Sequence, residues 1–189
     1  FTKDAEKSAV MEAVARLSTA LKASGIRVHV DDREGQTPGF KFNDWEMRGV
    51  PVRLEIGPKD VRNETVALAR RDVPGREGKQ IVPQAGVVAA VQQLLAAIQA
   101  NLLQQATAFR DSNLFEVVGD YQKFGEIIKS GGWALTWFSG DPADEQKIKE
   151  DFQCVSRCFP LDQPYPGQTG PCIVSGRPAE QMAYFARAY

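Results

Sequence analysis

Between Trp45 and Asp60 the chain carries Glu46, Arg48, Arg53, Glu55, Lys59 and Asp60, carboxylates and cations close together. That pairing can read a purine. A guanine exposed in a single-stranded loop presents O6 as an acceptor and N1–H and N2–H2 as donors, so its edge is met by a carboxylate together with an arginine or lysine. The same charges can equally form a solvated face, and spacing alone does not bring them together. Enzyme signatures are scarce: there is no glycine-rich phosphate loop, no Gly-x-Ser-x-Gly and no His-Glu-x-x-His. His29 is the single histidine, which removes two-histidine metal sites, and it reads as a structural or solvated residue on the polar side of a strand. Cys154 and Cys158 have a zinc-compatible spacing with Cys172 as a possible third ligand, and free buried thiols are the alternative.

The elements that must position these groups follow from periodicity. Asp4 can cap a helix to about Ser24, with Val10, Val14, Leu17 and Leu21 on one face and Gly25 as its stop. Ile26 to Val30 alternates as a strand does. Thr37-Pro38 opens a short helix to Met47, and Val50, Val52, Leu54 and Ile56 define a strand with Arg53 and Glu55 on its opposite face. Thr65 to Arg71 is a further strand, followed by a Pro/Gly-rich turn from Val73 to Gly78. One long helix is expected over 84–110, its stripe formed by Val87, Val91, Leu94, Leu95, Ile98, Leu102 and Phe109. Beyond it come a helix over 121–129, a strand over 133–138, a helix over 144–152, a strand over 155–159, and a loop from Pro160 to Pro171. The fold class is therefore α/β, with helices packed on sheets. The expected domains are 1–113, including the linking helix, and 114–189. No apolar run precedes the first helix, so a first strand of the sheet is expected to be missing from the chain.

The length of 189 residues allows one large domain or two small ones. With 43% hydrophobic and 25% charged residues the composition is that of an ordinary globular protein. The most apolar stretch, 86–103, is broken by Gln92, Gln93, Gln99 and Asn101, and no secretory signal is visible, so a membrane role is not expected. Three cysteines make no disulfide scaffold, and a reducing cytoplasm is the expected compartment. The net charge is −1, but from Arg48 to Lys79 there are 8 basic and 5 acidic residues, while 111–153 has 4 against 9. This is either two solvated surfaces of different sign or a basic patch for an anionic partner.

The segment Thr37-Pro38-Gly39-Phe40-Lys41-Phe42-Asn43-Asp44-Trp45-Glu46, joined to Gly49-Val50-Pro51-Val52-Arg53 and Gly57-Pro58-Lys59-Asp60, resembles the anticodon-binding domain of the prolyl-tRNA synthetase family. The likeness is to the archaeal/eukaryotic-type form with its extra C-terminal domain. It continues through the long helix, Gly132-Trp133-Ala134-Leu135 and Ala186-Arg187-Ala188-Tyr189. It implies a class II anticodon-binding fold, a mixed sheet flanked by helices, followed by a small α/β domain of zinc-binding type. It also implies that Glu46, Arg53, Asp60 and Lys79 contact the two guanines of the proline anticodon, and that the terminal carboxylate of Tyr189 reaches toward a catalytic domain. In metal-binding relatives four cysteines stand where this sequence has Ser139, Asp144, Cys172 and Ser175, and Cys158 falls at a non-ligand position. One thiolate of four remains, so zinc is expected to be lost, with the shape kept by packing of Trp133, Leu135, Trp137, Phe152 and Phe159.

What the resemblance implies for the complete protein is a homodimeric, cytoplasmic ligase that activates proline with ATP and magnesium and charges proline tRNA. No catalytic residue of that reaction is expected in this chain. The alternatives are a non-catalytic tRNA-binding or regulatory protein built from the same module, or a small-ligand α/β domain with no nucleic-acid role.

Overall fold

The computed structural model describes residues 4–187, without the side chain of Asp4. The capping role expected of Asp4 and the role expected of Tyr189 therefore lie outside the described residues. The chain forms two compact units, 1–104 and 105–189. The division falls within the long helix, upstream of its end at Asn113, where sequence alone places the boundary.

In the first unit α1 (Asp4–Ala23) is followed by α2 (Pro38–Met47), β1 (Val52–Glu55), α3 (Pro58–Arg62), β2 (Thr65–Arg70) and β3 (Lys79–Pro83). A single 3-10 turn (Gln84–Gly86) leads into α4 (Val87–Asn113). The three strands pair antiparallel in the order β1-β2-β3. Register separates two faces. Val52, Leu54, Val66, Leu68 and Val82 lie on one, and Arg53, Glu55, Ala67, Ala69, Lys79 and Ile81 on the other. The first face is consumed by the core, where Val66 and Leu68 meet Leu17 and Leu21 of α1 and Val87, Val91, Leu94 and Ile98 of α4. Apolar burial on that side leaves the second face free to carry charge.

Several expectations need correction. Ile26 to Val30 forms no ladder among the described residues, although Ile26 and Val28 do pack against the core. Alternation fixed which side chains turn inward, but a strand also needs a neighbour with free backbone groups. On α1 the buried apolar positions are Val10, Ala13, Leu17 and Leu21, with Val14 only partly covered. On α4 the stripe ends before Phe109, which is exposed. The helix with its leading turn, Gln84–Asn113, is long and apolar enough by length and composition to cross a membrane, despite the interrupting glutamines. Its Val87, Val91, Leu94 and Ile98 face, however, is spent on the sheet of the first unit.

The second unit adds β4 (Leu114–Glu116), α5 (Tyr121–Lys129), β5 (Trp133–Trp137), α6 (Pro142–Phe152), β6 (Cys154–Cys158), the short pair β7 (Gly170–Pro171) and β8 (Pro178–Ala179), and β9 (Met182–Arg187). Its main sheet is mixed, ordered β4-β5-β9-β6, with β4 parallel to β5 and β9 antiparallel to both its neighbours. Phe124, Ile128, Ile148, Met182 and Phe185 are its fully buried centre. Leu135 and Trp137 belong to that core and Phe152 packs against it, as expected, but Trp133 and Phe159 are exposed. Trp133 opens β5 and Phe159 follows the end of β6, and each still meets a ring, Trp133 that of Tyr184 and Phe159 that of Phe138.

Candidate nucleic-acid interface

The charged face of the first sheet is built by three local structures. Thr37 caps α2, its Oγ1 accepting from the Phe40 N–H, and Pro38 occupies the first turn, so α2 begins at a fixed place. That sets Phe42 and Glu46, one turn apart, against β1. The Arg53 guanidinium carbon lies 3.8 Å from the centre of the Phe42 ring, and Arg53 NH1 donates to Glu46 Oε1 at 2.5 Å. Arg53 Nε donates to Glu55 Oε1 at 3.0 Å, and Lys79 Nζ donates to Glu55 Oε2 at 2.6 Å. Glu46, Arg53, Glu55 and Lys79 thus form one continuous chain of alternating charge. Of the four residues to which the family resemblance gives a base contact, three are joined here.

Asp60 is not part of that chain. Its Oδ2 accepts the Gly57 N–H at 2.9 Å, capping the short helix α3 immediately after β1. Lys79 owes its position to the turn before β3. The Gly78 carbonyl accepts from the Arg70 N–H at 2.9 Å, and a Cβ on Gly78 would stand 2.0 Å from the Val73 carbonyl oxygen, so only glycine fits. Asp72 ties the same turn down. It accepts from Arg70 Nε at 2.7 Å, from Arg70 NH2 at 2.5 Å and from Asn101 Nδ2 at 2.6 Å, with its own side chain fully covered. The Arg70 guanidinium outweighs the effect of burial and holds the Asp72 carboxyl down to about 2.

Beside α2 lies a second cluster. Asp31 accepts from Trp45 Nε1 at 2.8 Å and from Arg33 Nε and NH2 at 2.9 and 2.7 Å. The His29 ring stands 4.4 Å from that of Trp45, and Arg48 lies over the indole at 4.9 Å. The Arg33 hydrogen bond holds the Asp31 carboxyl far below the ordinary range. His29 is thus a packing partner on an extended segment. What sequence reasoning missed at the main site is the part played by Glu55 and Phe42. Glu55 was legible on the polar face of β1, but its bridge to Lys79 depends on β3, whose Lys79-Gln80-Ile81-Val82-Pro83 lacks alternation and ends in proline.

In the second unit Ser139, Asp144, Cys172 and Ser175 do converge. Asp144 Oδ2 accepts from Ser139 Oγ at 2.8 Å, Ser175 Oγ at 2.7 Å, Cys172 Sγ at 3.4 Å and Arg177 NH2 at 3.2 Å. Arg177 NH2 also donates to Asp141 Oδ2 at 2.5 Å. Burial pushes the Asp144 carboxyl up, but the hydroxyls, the thiol and the guanidinium together outweigh it and hold the carboxyl below its ordinary value. Zinc does not fit this set: one thiol and one carboxylate stand with two neutral hydroxyls, and a guanidinium already supplies the positive charge. No group of three His, Cys, Asp or Glu that could hold a metal occurs among the described residues. The Cys154/Cys158 pairing suggested by spacing also fails. A bulge between Ser156 and Cys158 reverses the alternation, leaving Cys154 buried and Cys158 exposed. Burial pushes the Cys154 thiol up to about 11, which keeps it protonated.

Comparison with known proteins agrees with this layout. Residues 2–101 match the family described as anticodon binding domain, and residues 121–189 match the one described as prolyl-tRNA synthetase, C-terminal. The proline–tRNA ligase of Chloroflexus aggregans (strain MD-66 / DSM 9485) is 49% identical over 189 residues, which is 100% of this chain and 38% of that protein. That of Roseiflexus castenholzii (strain DSM 13941 / HLO8) is 47% identical over the same share of each. The chloroplastic/mitochondrial proline–tRNA ligase of Arabidopsis thaliana is 44% identical over 192 residues, covering 100% of this chain and 35% of the relative. The chain therefore spans little more than a third of the length of the curated relatives it matches. It belongs to the anticodon-binding domain family, with the two-module layout of the C-terminal portion of prolyl-tRNA synthetases.

Proposed function

We propose that this chain binds the anticodon loop of proline tRNA and reads two guanines there, as part of a proline–tRNA ligase that activates proline with ATP and charges that tRNA. The observation that carries the reading is the charged sheet face. There Glu46 offers acceptor oxygens, Arg53 and Lys79 offer donors, and one hydrogen-bonded chain holds all three. Those are the complementary groups for N1–H, N2–H2 and O6 of guanine. Asp60 stands at the head of α3, one turn after the strand that carries Arg53, and we assign it the family's fourth contact. Binding should weaken steeply with salt, as a contact with a phosphate backbone does. An affinity that stays flat from low to moderate salt would count against the assignment.

For the complete protein we propose a homodimeric, cytoplasmic enzyme of the archaeal/eukaryotic-type form, the extra C-terminal module being the reason for that choice. Its ATP and magnesium would sit in the catalytic domain, and proline-dependent ATP–pyrophosphate exchange by the intact gene product is the test. Exchange that does not depend on proline would contradict it. We also propose that the terminal carboxylate of Tyr189 serves that catalytic domain, so an appended C-terminal tag should depress aminoacylation; a tagged enzyme with full turnover would refute this. The second unit we read as zinc-free. The Asp144 hydrogen bonds and the Arg177 charge do there what a metal does elsewhere.

A further inference from the structure

The charged chain has an inside and an outside. Its outer members, Glu46 and Lys79, have side chains 43% and 42% exposed, whereas the inner pair, Arg53 and Glu55, are 23% and 21% exposed. Glu55 uses both oxygens on cations of the chain, one on Arg53 of β1 and the other on Lys79 of β3. Sheet register explains how it reaches both. Arg53, Ala69 and Lys79 lie opposite one another across the three strands, as do Glu55, Ala67 and Ile81. The two side chains of the central strand on this face are only methyl groups, with Ala67 buried and Ala69 partly covered, so a carboxylate on β1 can reach over β2 and span about two strand spacings, roughly 10 Å, with the help of the long lysine. Without that carboxylate two cations would face each other across an alanine.

We propose that Glu55 is a positioning residue for guanine recognition. It neutralises and orients Arg53 and Lys79 from the shielded side, so that Lys79 and Glu46 present a donor and an acceptor outward at a set separation. This rests on the anticodon-reading assignment above and adds to it a residue to which the family resemblance gives no base contact. Glu55→Gln keeps the size and loses the charge, and its amide NH2 would meet a lysine or arginine donor head-on. Lys79 is then released into solvent and Arg53 loses one of its two carboxylate partners.

The test is a double-mutant cycle on the full chain, read as affinity for two anticodon stem-loop RNAs. One carries guanine at the second and third anticodon positions and the other carries adenine there. Glu55→Gln is expected to weaken the guanine loop by about tenfold, the scale of a lost charged partner, and the adenine loop by less than about twofold. In a Lys79→Met background the same change should cost the guanine loop less than about threefold, because its main target is already gone. Equal loss on both RNAs, or the same factor with and without Lys79, would reduce Glu55 to a structural role and overturn the proposal. If the unaltered chain shows no guanine preference, the anticodon reading itself fails and takes this with it.

Discussion

Arg53 is the residue on which most contacts of the site depend. Its guanidinium lies on the Phe42 ring, donates to Glu46 and Glu55, and has no other residue type able to serve all three at once. Arg53→Ala is expected to weaken proline tRNA binding by about 1–3 kcal/mol, the scale of a good bidentate base contact. A filter-binding titration with unchanged affinity would remove Arg53 from the interface. Individual residues were legible in the sequence to different degrees. Glu46, Arg53 and Asp60 were visible as complementary charges and Lys79 entered only through the family resemblance, but only register shows which ones meet. Asp60 turned out to cap α3 through the Gly57 N–H, a local bond that a five-residue helix hides from any periodicity argument. Cys158 looked like a ligand by spacing because a bulge cannot be seen in a regular alternation.

At the scale of elements, the site exists because β2 is small on one face and large on the other. Val66 and Leu68 anchor the sheet to its helices, while the small Ala67 and Ala69 let the charged side chains of β1 and β3 reach across the other face. Ala69→Leu should place a branched side chain between Arg53 and Lys79, break the Lys79–Glu55 bond and lower tRNA affinity, with the core untouched. A variant that binds as before, with an unchanged urea midpoint, would show that the small side chain is irrelevant. The turn that launches β3 carries its own pH dependence. Asp72 has a folded value near 2 against an ordinary 3.8, so it favours the folded state above about 4. That contribution fades as pH falls from about 4 to about 2, and Asp72→Asn should flatten the acid limb of the first unit's stability. An acid limb identical in the variant would contradict it. α1, α2, α4, β1 and β2 were readable from caps and periodicity. β3 was not, because its residues follow no binary pattern and pair only through the turn that Gly78 and Asp72 hold. The Ile26–Val30 segment shows the converse, since a strand-like pattern without a ladder becomes an extended segment pinned through Asp31 to Trp45.

Taken whole, the chain joins two units, each with its own core. In the second unit Ser139, Cys172, Ser175 and Arg177 all donate to Asp144 Oδ2, and the first three, with Asp144 itself, are the positions to which the family resemblance gives metal-ligating cysteines. Elemental analysis of chelator-washed protein is expected to find no stoichiometric zinc, and Arg177→Ala should destabilise this unit by leaving Asp144 without its counter-charge. One zinc per chain surviving chelation would overturn that account. In the first unit an ordered line of opposite charges on a sheet face is expected to select two adjacent, unpaired guanines. The most direct measurement is filter binding of proline tRNA against the same tRNA with adenine at the second and third anticodon positions, at one fixed salt concentration. The account predicts a loss of about 1–3 kcal/mol for each replaced guanine; equal affinity for both tRNAs would contradict it.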